Sequence, residues 1–191
     1  MQSLKGSLLI ASPGLADPNF SRTVVLIVEH NEEGALGVVL NRPGKVSVSD
    51  LWSSLSSEPC GCDSKTFVGG PVQENSVLIL HGFEDLSSGS QEVISGVYLG
   101  SELSLLEMIL ARSGDTSPEV VSGSFRLYCG YAGWGAGQLD QEMDSGGWLT
   151  LPAKLEHIFQ ADTDELWTQA LRGVGGPYEF FSLMPPNPEL N

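Results

Sequence analysis

A chain of 191 residues is the usual size of a single domain, and its composition excludes several classes of protein. It has 24 acidic and 9 basic residues, which give a formal net charge of -15, and the basic residues are scattered singly. Such a chain repels nucleic acid and anionic lipid. No apolar stretch approaches the roughly 18 residues of a membrane helix, and residues 1–15 lack the pattern of a signal peptide. The sequence predicts an acidic cytoplasmic protein that binds neither nucleic acid nor a membrane.

The three cysteines, Cys60, Cys62 and Cys129, do not indicate a disulfide scaffold. Their number is odd, and the chain is long enough to bury a core without crosslinks. Cys60 and Cys62 could form a strained redox pair or supply two soft metal ligands, but no histidine or further cysteine is near them in the sequence. Free thiols in a reducing compartment are the preferred interpretation, and we predict no metal site and no cofactor.

Stretches rich in β-branched and aromatic residues predict strands at residues 6–11, 23–28, 35–40, 76–82, 93–99 (interrupted at Gly96), 125–131 and 148–151. The run at 23–28 is apolar throughout, which is typical of a central strand buried on both faces. A short turn at 31–34 joins it to the run at 35–40. These two strands should therefore pair antiparallel.

Helices are predicted at residues 47–55, 102–112 and 162–173, with a further short helix after Gly137. Ser47 and Asp50 have the spacing of a capping box. The second helix should stop at Gly114 and bury one face made of Leu103, Leu106 and Leu110. The inward residues predicted for the third are Leu166, Trp167, Ala170 and Leu171.

Four glycines, at positions 130, 133, 135 and 137, predict a turn between the strand at 125–131 and the short helix. Their spacing does not match the dinucleotide-binding fingerprint, because position 140 is Asp, and no Lys-Ser/Thr pair follows as in a phosphate loop. Bare amides at this helix start could hold an anion. Asp140 and Glu142 argue against a strongly charged one, and a tight corner with its aromatic residues in the core is the simpler interpretation.

This order of elements predicts an α+β fold. We expect a single domain with a mixed, mostly antiparallel sheet, open or curled toward a barrel, and three or four short helices. The domain should cover residues 1–178, with residues 179–191 as a loosely ordered tail. A monomer or a weak dimer is expected.

Several stretches together resemble the YqgE/AlgH family of bacterial proteins: GSLLIA at 6–11, DPNF at 17–20, GALGVVLNRP at 34–43, GGPV at 69–72 and GYAGWGAGQL at 130–139. The likeness runs in order from about residue 4 to residue 175. It implies a single α+β domain in the bacterial cytosol, and it supplies no established activity and no catalytic residues. One branch of the family is linked to transcriptional control of exopolysaccharide production. For a chain this acidic, the resemblance implies an indirect regulator that binds a small molecule or a protein.

A ligand site is predicted where corners rich in glycine and proline meet at strand ends. Its candidate residues are Asn41, Arg42, Gly69, Gly70, Pro71, Gly130, Tyr131, Gly133, Trp134, Gly135 and Gln138. Arg42 would bind a carboxylate or another single anion through its planar fork, while Asn41 and Gln138 would give neutral hydrogen bonds. Tyr131 or Trp134 would form an apolar wall. A surface arginine paired with a carboxylate is an equally good account of Arg42.

The preferred function is a non-enzymatic module that binds a small ligand or a protein and acts indirectly in regulation. The alternative is a small-molecule enzyme with a His, Cys or Arg centre near the glycine-rich stretch. In such an enzyme Cys129 would be a thiol nucleophile, or His30 or His81 would act as a base beside a carboxylate. The simpler roles are a small buried Cys129 and three histidines, His157 included, that satisfy backbone groups.

Overall fold

The computed structural model describes residues 2–58, 60, 62–112 and 124–183. Their strands are β1 (Ser7–Ala11), β2 (Val24–Asn31), β3 (Gly34–Val39), β4 (Pro43–Ser47), β5 (Lys65–Val68), β6 (Val72–His81), β7 (Gln91–Ile94), β8 (Val97–Gly100), β9 (Phe125–Gly135) and β10 (Trp148–Pro152). Their helices are α1 (Val48–Leu55), α2 (Leu103–Arg112), α3 (Gln138–Asp144), α4 (Leu155–Phe159), α5 (Leu166–Val174) and α6 (Tyr178–Phe181), with a 3-10 turn at Glu84–Leu86.

The strands form one sheet in the order β10-β1-β2-β3-β9-β6-β8-β7, with β4 and β5 attached near its middle. Every pair is antiparallel except β5 with β9. The order has two ends, β10 and β7, so the sheet stays open and does not close into a barrel. The predicted α+β fold with a mixed, mostly antiparallel sheet is confirmed. In the described part of the chain, no helix is long and apolar enough to span a membrane.

Strand β2 lies at the centre of one half of the sheet and is buried on both faces, as predicted. Leu26 points into a cluster with α5, whereas Val25 and Ile27 point into a cluster with α3. Helix α5 buries the four apolar residues predicted for it. Its Trp167 donates an indole hydrogen bond of 2.8 Å to the carbonyl oxygen of Ala11 at the end of β1. Helices therefore cover this part of the sheet on both sides.

Strand β9 belongs to both halves of the sheet. One edge pairs with β6, while the other pairs first with β5 and then with β3. Gly130 marks the change: its φ is +71°, and an added Cβ would lie 2.6 Å from the carbonyl oxygen of Gly70. Here the predicted glycine-rich turn is wrong in extent, because the strand continues to Gly135 and only residues 136–137 turn before α3. Pairing with β3 keeps Gly133 and Gly135 in the strand, whereas Gly130 and Gly137 take positive φ.

The buried face of helix α2 differs from the face that the sequence predicts. It buries Leu105, Leu106 and Ile109, whereas Leu103 is 47% exposed. Seven of its ten residues are apolar, so two overlapping faces fit the helical period equally well and packing against the sheet selects one of them. Ser47 caps α1 as predicted, accepting the backbone N–H of residue 50. The predicted stop at Gly114 lies outside the described residues, as do residues 184–191 of the predicted tail.

Candidate functional site

Residues 17–22, the 17–22 loop, join β1 to β2 and are folded back on themselves. The carboxylate of Asp17 accepts the backbone N–H of Asn19 at 2.8 Å, and its carbonyl oxygen accepts the N–H groups of Phe20 and Ser21 at 3.0 and 2.7 Å. The hydroxyl of Thr23 donates to the carbonyl oxygen of Phe20 at 2.8 Å. The loop is thus a compact turn stabilised by its own side chains.

Asn41 and Arg42, which follow β3, hold the 17–22 loop in place. The side-chain oxygen of Asn41 accepts the N–H of Val24 at 2.8 Å, and its amide donates to the carbonyl oxygen of Arg22 at 3.0 Å. Arg42 donates from Nη2 to the carbonyl oxygen of Pro18 at 3.1 Å. Both side chains are therefore engaged within the chain, and each satisfies backbone groups that the loop leaves unpaired.

The glycine corners pack backbone against backbone. A Cβ added at Gly69 would lie 2.1 Å from the carbonyl oxygen of Gly130, and one added at Gly70 would lie 2.2 Å from the carbonyl carbon of Tyr131. The carbonyl oxygen of Gly69 accepts the N–H of Val39 at 2.9 Å. Close approach of three strand ends explains why these positions are glycine.

A small cavity lies beside these corners. Arg42, Gly70 and Pro71 contribute to its lining, and its volume is about 70 Å³. Ligand pockets usually measure about 300–1,000 Å³. Burial lowers the pKa of the Arg42 guanidinium, and the charge of Asp17 partly offsets that effect. This geometry favours a structural role for Arg42.

A larger cleft of about 580 Å³ lies between the 17–22 loop and helix α5. Its volume falls in the usual range for small-molecule sites. We call it the arginine cleft, and its lining residues are Arg22, Asn41, Asp164, Glu165, Trp167, Thr168, Arg172, Ser182 and Leu183.

Arg22 brings its guanidinium to the arginine cleft from an unusual backbone conformation. Its φ is +56°, a left-handed conformation that costs a non-glycine residue about 1–2 kcal/mol. Asn41 holds its carbonyl oxygen, and its guanidinium carbon lies 4.2 Å from the ring centroid of Trp167. That distance is within cation–π range. Burial lowers the pKa of Arg22. Strained residues of this kind concentrate at functional sites.

Helix α5 forms the opposite wall of the cleft. Glu165, Thr168 and Arg172 follow one another at helical spacing and lie on one face. The Nε of Arg172 donates to the hydroxyl of Ser182 at 3.2 Å. Among the described residues no carboxylate lies within 4 Å of its guanidinium, so both of its Nη groups are left to a ligand or to water.

A second concavity of about 220 Å³ lies on the other side of the 17–22 loop, and we call it the indole pocket. Its lining residues are Leu15, Asp17, Phe20, Gly133, Trp134, Gln138, Glu142, Ser145, Gly147 and Trp148. The rings of Phe20, Trp134 and Trp148 pack on one another with centroids 5.5–6.1 Å apart. They form the apolar wall of this pocket.

The carboxylate of Glu142 is bound within the indole pocket. Its Oε2 accepts the indole N–H of Trp134 at 3.0 Å and that of Trp148 at 2.8 Å, and its Oε1 accepts the amide of Gln138 at 2.9 Å. Gln138 in turn accepts the N–H of Gly135, the last residue of β9, at 3.1 Å, so this backbone N–H is not available to an anion.

The residues of the predicted site are divided among these concavities. Asn41 lines the arginine cleft, Arg42, Gly70 and Pro71 line the 70 Å³ cavity, and Gly133, Trp134 and Gln138 line the indole pocket. The remaining four, Gly69, Gly130, Tyr131 and Gly135, are engaged in strand packing. The three stretches are adjacent, but none of the described pockets includes all of them.

A family model described as AlgH-like matches residues 8–179, which is nearly all of the described chain. The chain belongs to the AlgH-like family. It is 38% identical over 186 residues to a UPF0301 protein of Chlorobaculum tepidum, covering 97% of this chain and 95% of that one. A UPF0301 protein of Streptomyces coelicolor is 36% identical, with 100% and 97% covered. The family resemblance read from the sequence is confirmed.

Solved structures of the same fold agree with this assignment. The solution structure of the AlgH protein from Pseudomonas aeruginosa has a TM-score of 0.75 and 31% identity, covering 98% of this chain and 99% of that one. A crystal structure of a Corynebacterium diphtheriae protein has a TM-score of 0.74 with 96% and 94% covered. At 23% identity, that second likeness shows the fold alone.

The histidines of this AlgH-like protein satisfy backbone groups. Each accepts a backbone N–H at Nδ1: His30 from Leu4 at 3.1 Å, His81 from Phe83 at 3.3 Å and His157 from Lys154 at 3.2 Å. A neutral imidazole that accepts at Nδ1 carries its proton on Nε2. His81 therefore donates from Nε2 to the hydroxyl of Ser90 at 3.1 Å. A serine is activated only by a base that accepts its proton, so this pair is oriented the wrong way.

The cysteines also lack the setting of a nucleophile. Burial raises the pKa of the Cys129 thiol, and a hydrogen bond with Thr66 only partly offsets this, so the thiol is protonated at neutral pH. Burial likewise raises the pKa of Cys60, and Cys60 and Cys62 are free thiols. In the described part of the chain, no three His, Cys, Asp or Glu side chains are grouped so as to hold a metal ion.

Several residues of the two concavities were not among the sequence candidates: Asp17, Phe20, Arg22, Glu142, Trp148, Trp167, Thr168 and Arg172. One signal was available for three of them, because the 17–22 loop carries an aromatic and an arginine in a polar segment. Nothing in the sequence marks Arg172 or Glu142, since each is one of many charged residues on a helix.

Proposed function

We propose that this AlgH-like protein is a non-enzymatic binding module that takes a small anionic ligand in the arginine cleft. The ligand carries a carboxylate or a phosphate group, and the module acts indirectly in regulation, through that ligand or a protein partner. The observation that carries the proposal is the position of Arg22. Its left-handed backbone is fixed by Asn41, and its guanidinium carbon lies 4.2 Å from the ring centroid of Trp167 at the cleft. An arginine held this way loses little entropy when it binds an anion.

The charges around the cleft restrict the ligand further. Arg22 and Arg172 line it together, and guanidinium groups bind carboxylates and phosphates through paired N–H donors. Asp164 and Glu165 stand at the N-terminal end of the same helix wall. With a net charge of -15 on the whole chain, a polyanion such as DNA is repelled, whereas one or two charges fit the two arginines.

An enzyme receives less support from the same structure. The three histidines bind backbone N–H groups, and the Cys129 thiol is protonated at neutral pH. Neither the arginine cleft nor the indole pocket has a histidine or cysteine in its described lining. A binding role therefore uses the observed geometry, and a catalytic role would have to rearrange it.

The test is an NMR titration of the isotope-labelled protein with succinate and, separately, with inorganic phosphate. The side-chain Nε–H signals of Arg22 and Arg172 and the amide signals of residues 164–168 are followed. We expect saturable shifts at these sites with one of the two anions, which also separates the carboxylate from the phosphate class. Arg172→Gln should weaken binding about tenfold, because a charge-assisted hydrogen-bond pair is lost.

The matched control is Arg112→Gln, which removes the same charge from the end of α2, where Arg112 pairs with Asp85. It should leave the affinity unchanged, and an equal loss in both variants would show a general charge effect and contradict the cleft. A chain that ends at Leu183 is the second control, because residues 184–191 follow the cleft lining directly in the sequence. Absence of saturable shifts with both anions in both chains would reject the ligand and direct the search to a protein partner. Saturable shifts with a short DNA duplex would contradict the indirect role.

A further inference from the structure

We infer that the indole pocket is a second binding site, for the primary ammonium group of an alkylamine or a lysine-like side chain. This site lies outside the arginine cleft, and its proposal does not depend on the function proposed there. It rests on the sign of the charges, the aromatic wall and the acceptors that are still free in this pocket.

The charged side chains in the described lining of the indole pocket are Asp17 and Glu142, and the charge of Asp17 also acts on Arg42. The three hydrogen bonds that the carboxylate of Glu142 accepts come from neutral donors, two indoles and one amide. In the parts of the chain that the structure describes, no basic side chain lies within 4 Å of this carboxylate. Partial burial costs this carboxylate part of its hydration free energy, and a bound cation would offset that cost.

The aromatic wall suits the same ligand. Trp134, Trp148 and Phe20 contribute to the lining, and the half-buried ring of Phe20 offers an aromatic surface that attracts cations through its quadrupole. The alkyl chain of an amine would lie against these rings while its ammonium end reaches the carboxylates. This arrangement satisfies the apolar and the charged part of one small molecule at once.

Free acceptors select a primary ammonium over a quaternary one. Oε1 of Glu142 accepts one described hydrogen bond, from Gln138, and a carboxylate oxygen has two lone pairs. In Asp17 only Oδ1 accepts a described hydrogen bond, from Asn19. A primary ammonium donates three hydrogen bonds and can use both carboxylates, whereas a quaternary ammonium donates none. The volume of about 220 Å³ fits such a head group and a short chain, and it is below the usual range for a whole cofactor.

The experiment is a titration of the labelled protein with n-butylammonium chloride at constant ionic strength. The indole N–H signals of Trp134 and Trp148 are the readout, because both protons bind Glu142 directly. We expect saturable shifts of both signals. n-Butanol, which has the same chain and no charge, should give no saturable shift, and tetramethylammonium should bind several-fold more weakly.

Glu142→Gln should weaken n-butylammonium binding by about tenfold, because the amide oxygen can still accept both indoles but the negative charge is gone. Persistence of the two indole signals checks that the variant is folded. If it does not fold, Asp17→Asn carries the test, since Asn can still accept the N–H of Asn19, and a loss of several-fold is expected. Arg172→Gln should not change this affinity, so a failure here is separate from a failure in the arginine cleft.

Three results would overturn the inference. Equal shifts with n-butanol would show that the pocket binds alkyl groups without regard to charge. Unchanged affinity in Glu142→Gln, or in Asp17→Asn where that variant is used, would show that the carboxylates do not bind the ammonium group. Shifts that grow linearly with concentration and never saturate would show that the amine acts on the acidic surface as a whole.

Discussion

The arginine cleft and the indole pocket share the 17–22 loop and differ in the charged groups of their described linings: two arginines and two acids line the cleft, whereas the charged lining of the pocket is acidic. Arg22 faces the first, while Asp17 and Phe20 face the second. In the cleft the Nη groups of Arg172 have no described partner, whereas in the pocket the carboxylate of Glu142 accepts three hydrogen bonds. The guanidinium of Arg172 therefore lies outside the core, whereas the carboxylate of Glu142 is part of it. Substitution of an exposed charged residue of the cleft should alter binding alone, and substitution of Glu142 should also alter stability.

The largest expected effect is that of Glu142→Ala. Trp134 and Trp148 are 6% and 2% exposed, so loss of the shared carboxylate leaves two buried indole donors unpaired. At about 1–3 kcal/mol for each unpaired donor, the free energy of unfolding should fall by about 3 kcal/mol. Urea unfolding followed by tryptophan fluorescence measures it. Glu165→Ala, an exposed acid of the cleft, is the control and should stay within about 0.5 kcal/mol. Similar unfolding midpoints for the two variants would show that the Glu142 carboxylate contributes no more to stability than an exposed acid of the cleft does.

Asn41→Ala should give the next largest effect. It leaves the fully buried N–H of Val24 and the carbonyl oxygen of Arg22 without their partners, which predicts a loss of about 2 kcal/mol in urea unfolding. Asn19→Ala is the matched control within the 17–22 loop, because no described hydrogen bond uses the Asn19 side chain. The control should unfold like the wild type. If Asn41→Ala does the same, the clamp on Arg22 is not a source of stability.

A pair of variants isolates the backbone of Arg22. Arg22→Gly and Arg22→Ala lose the same side-chain contacts, but only glycine adopts a φ of +56° without strain. The glycine variant should therefore be more stable than the alanine variant by about 1 kcal/mol in chemical unfolding. Both should lose anion binding equally. Equal stability of the two variants would show that the left-handed conformation is not kept in solution.

The smallest expected effect is a pH dependence of the free energy of unfolding. Burial lowers the pKa of His81 below its ordinary value of 6.5. The unfolded chain then binds more protons than the folded chain as the pH falls, so the free energy of unfolding should decrease as the pH is lowered through about 6.5. His81→Asn should flatten this slope between pH 7.5 and 5.5. The described lining of the indole pocket contains no histidine and n-butylammonium keeps its charge in this range, so its binding there should stay constant. A slope that is unchanged in the variant would exclude His81 as its source.

The parts of the fold that the sequence predicted share one property: in each, only one set of apolar residues could form the buried face. The run at 23–28 and the inward face of α5 are examples, because each has one apolar set that packing must bury. Helix α2 was predicted with the wrong face since its sequence offers two. Strand β4 and helices α4 and α6 have four or five residues each, too few to show a period.

The candidate site shows a different limit. Asn41 and Arg42 were singled out as strand-end polar residues, and the structure uses them to hold the 17–22 loop. A side chain that binds backbone and one that awaits a ligand have the same appearance in a sequence. Arg22 and Arg172 are 150 positions apart in the chain, and only the packing of α5 against β1 and β2 brings them to one cleft.

The register between β1 and β10 has a consequence for how the chain is made. Ser7 pairs with Pro152 and Ala11 with Trp148, and β3 pairs with β9, so both edges of the β1–β2–β3 meander are closed by segments from beyond residue 124. During translation at about 5–20 residues per second, this meander leaves the ribosome roughly ten seconds before its partners do. In that interval the segments that later pack against its apolar central strand, β2, have not yet been synthesised. Release of incomplete chains should then yield insoluble fragments, and slower growth or added holdase chaperones should raise the yield of intact protein.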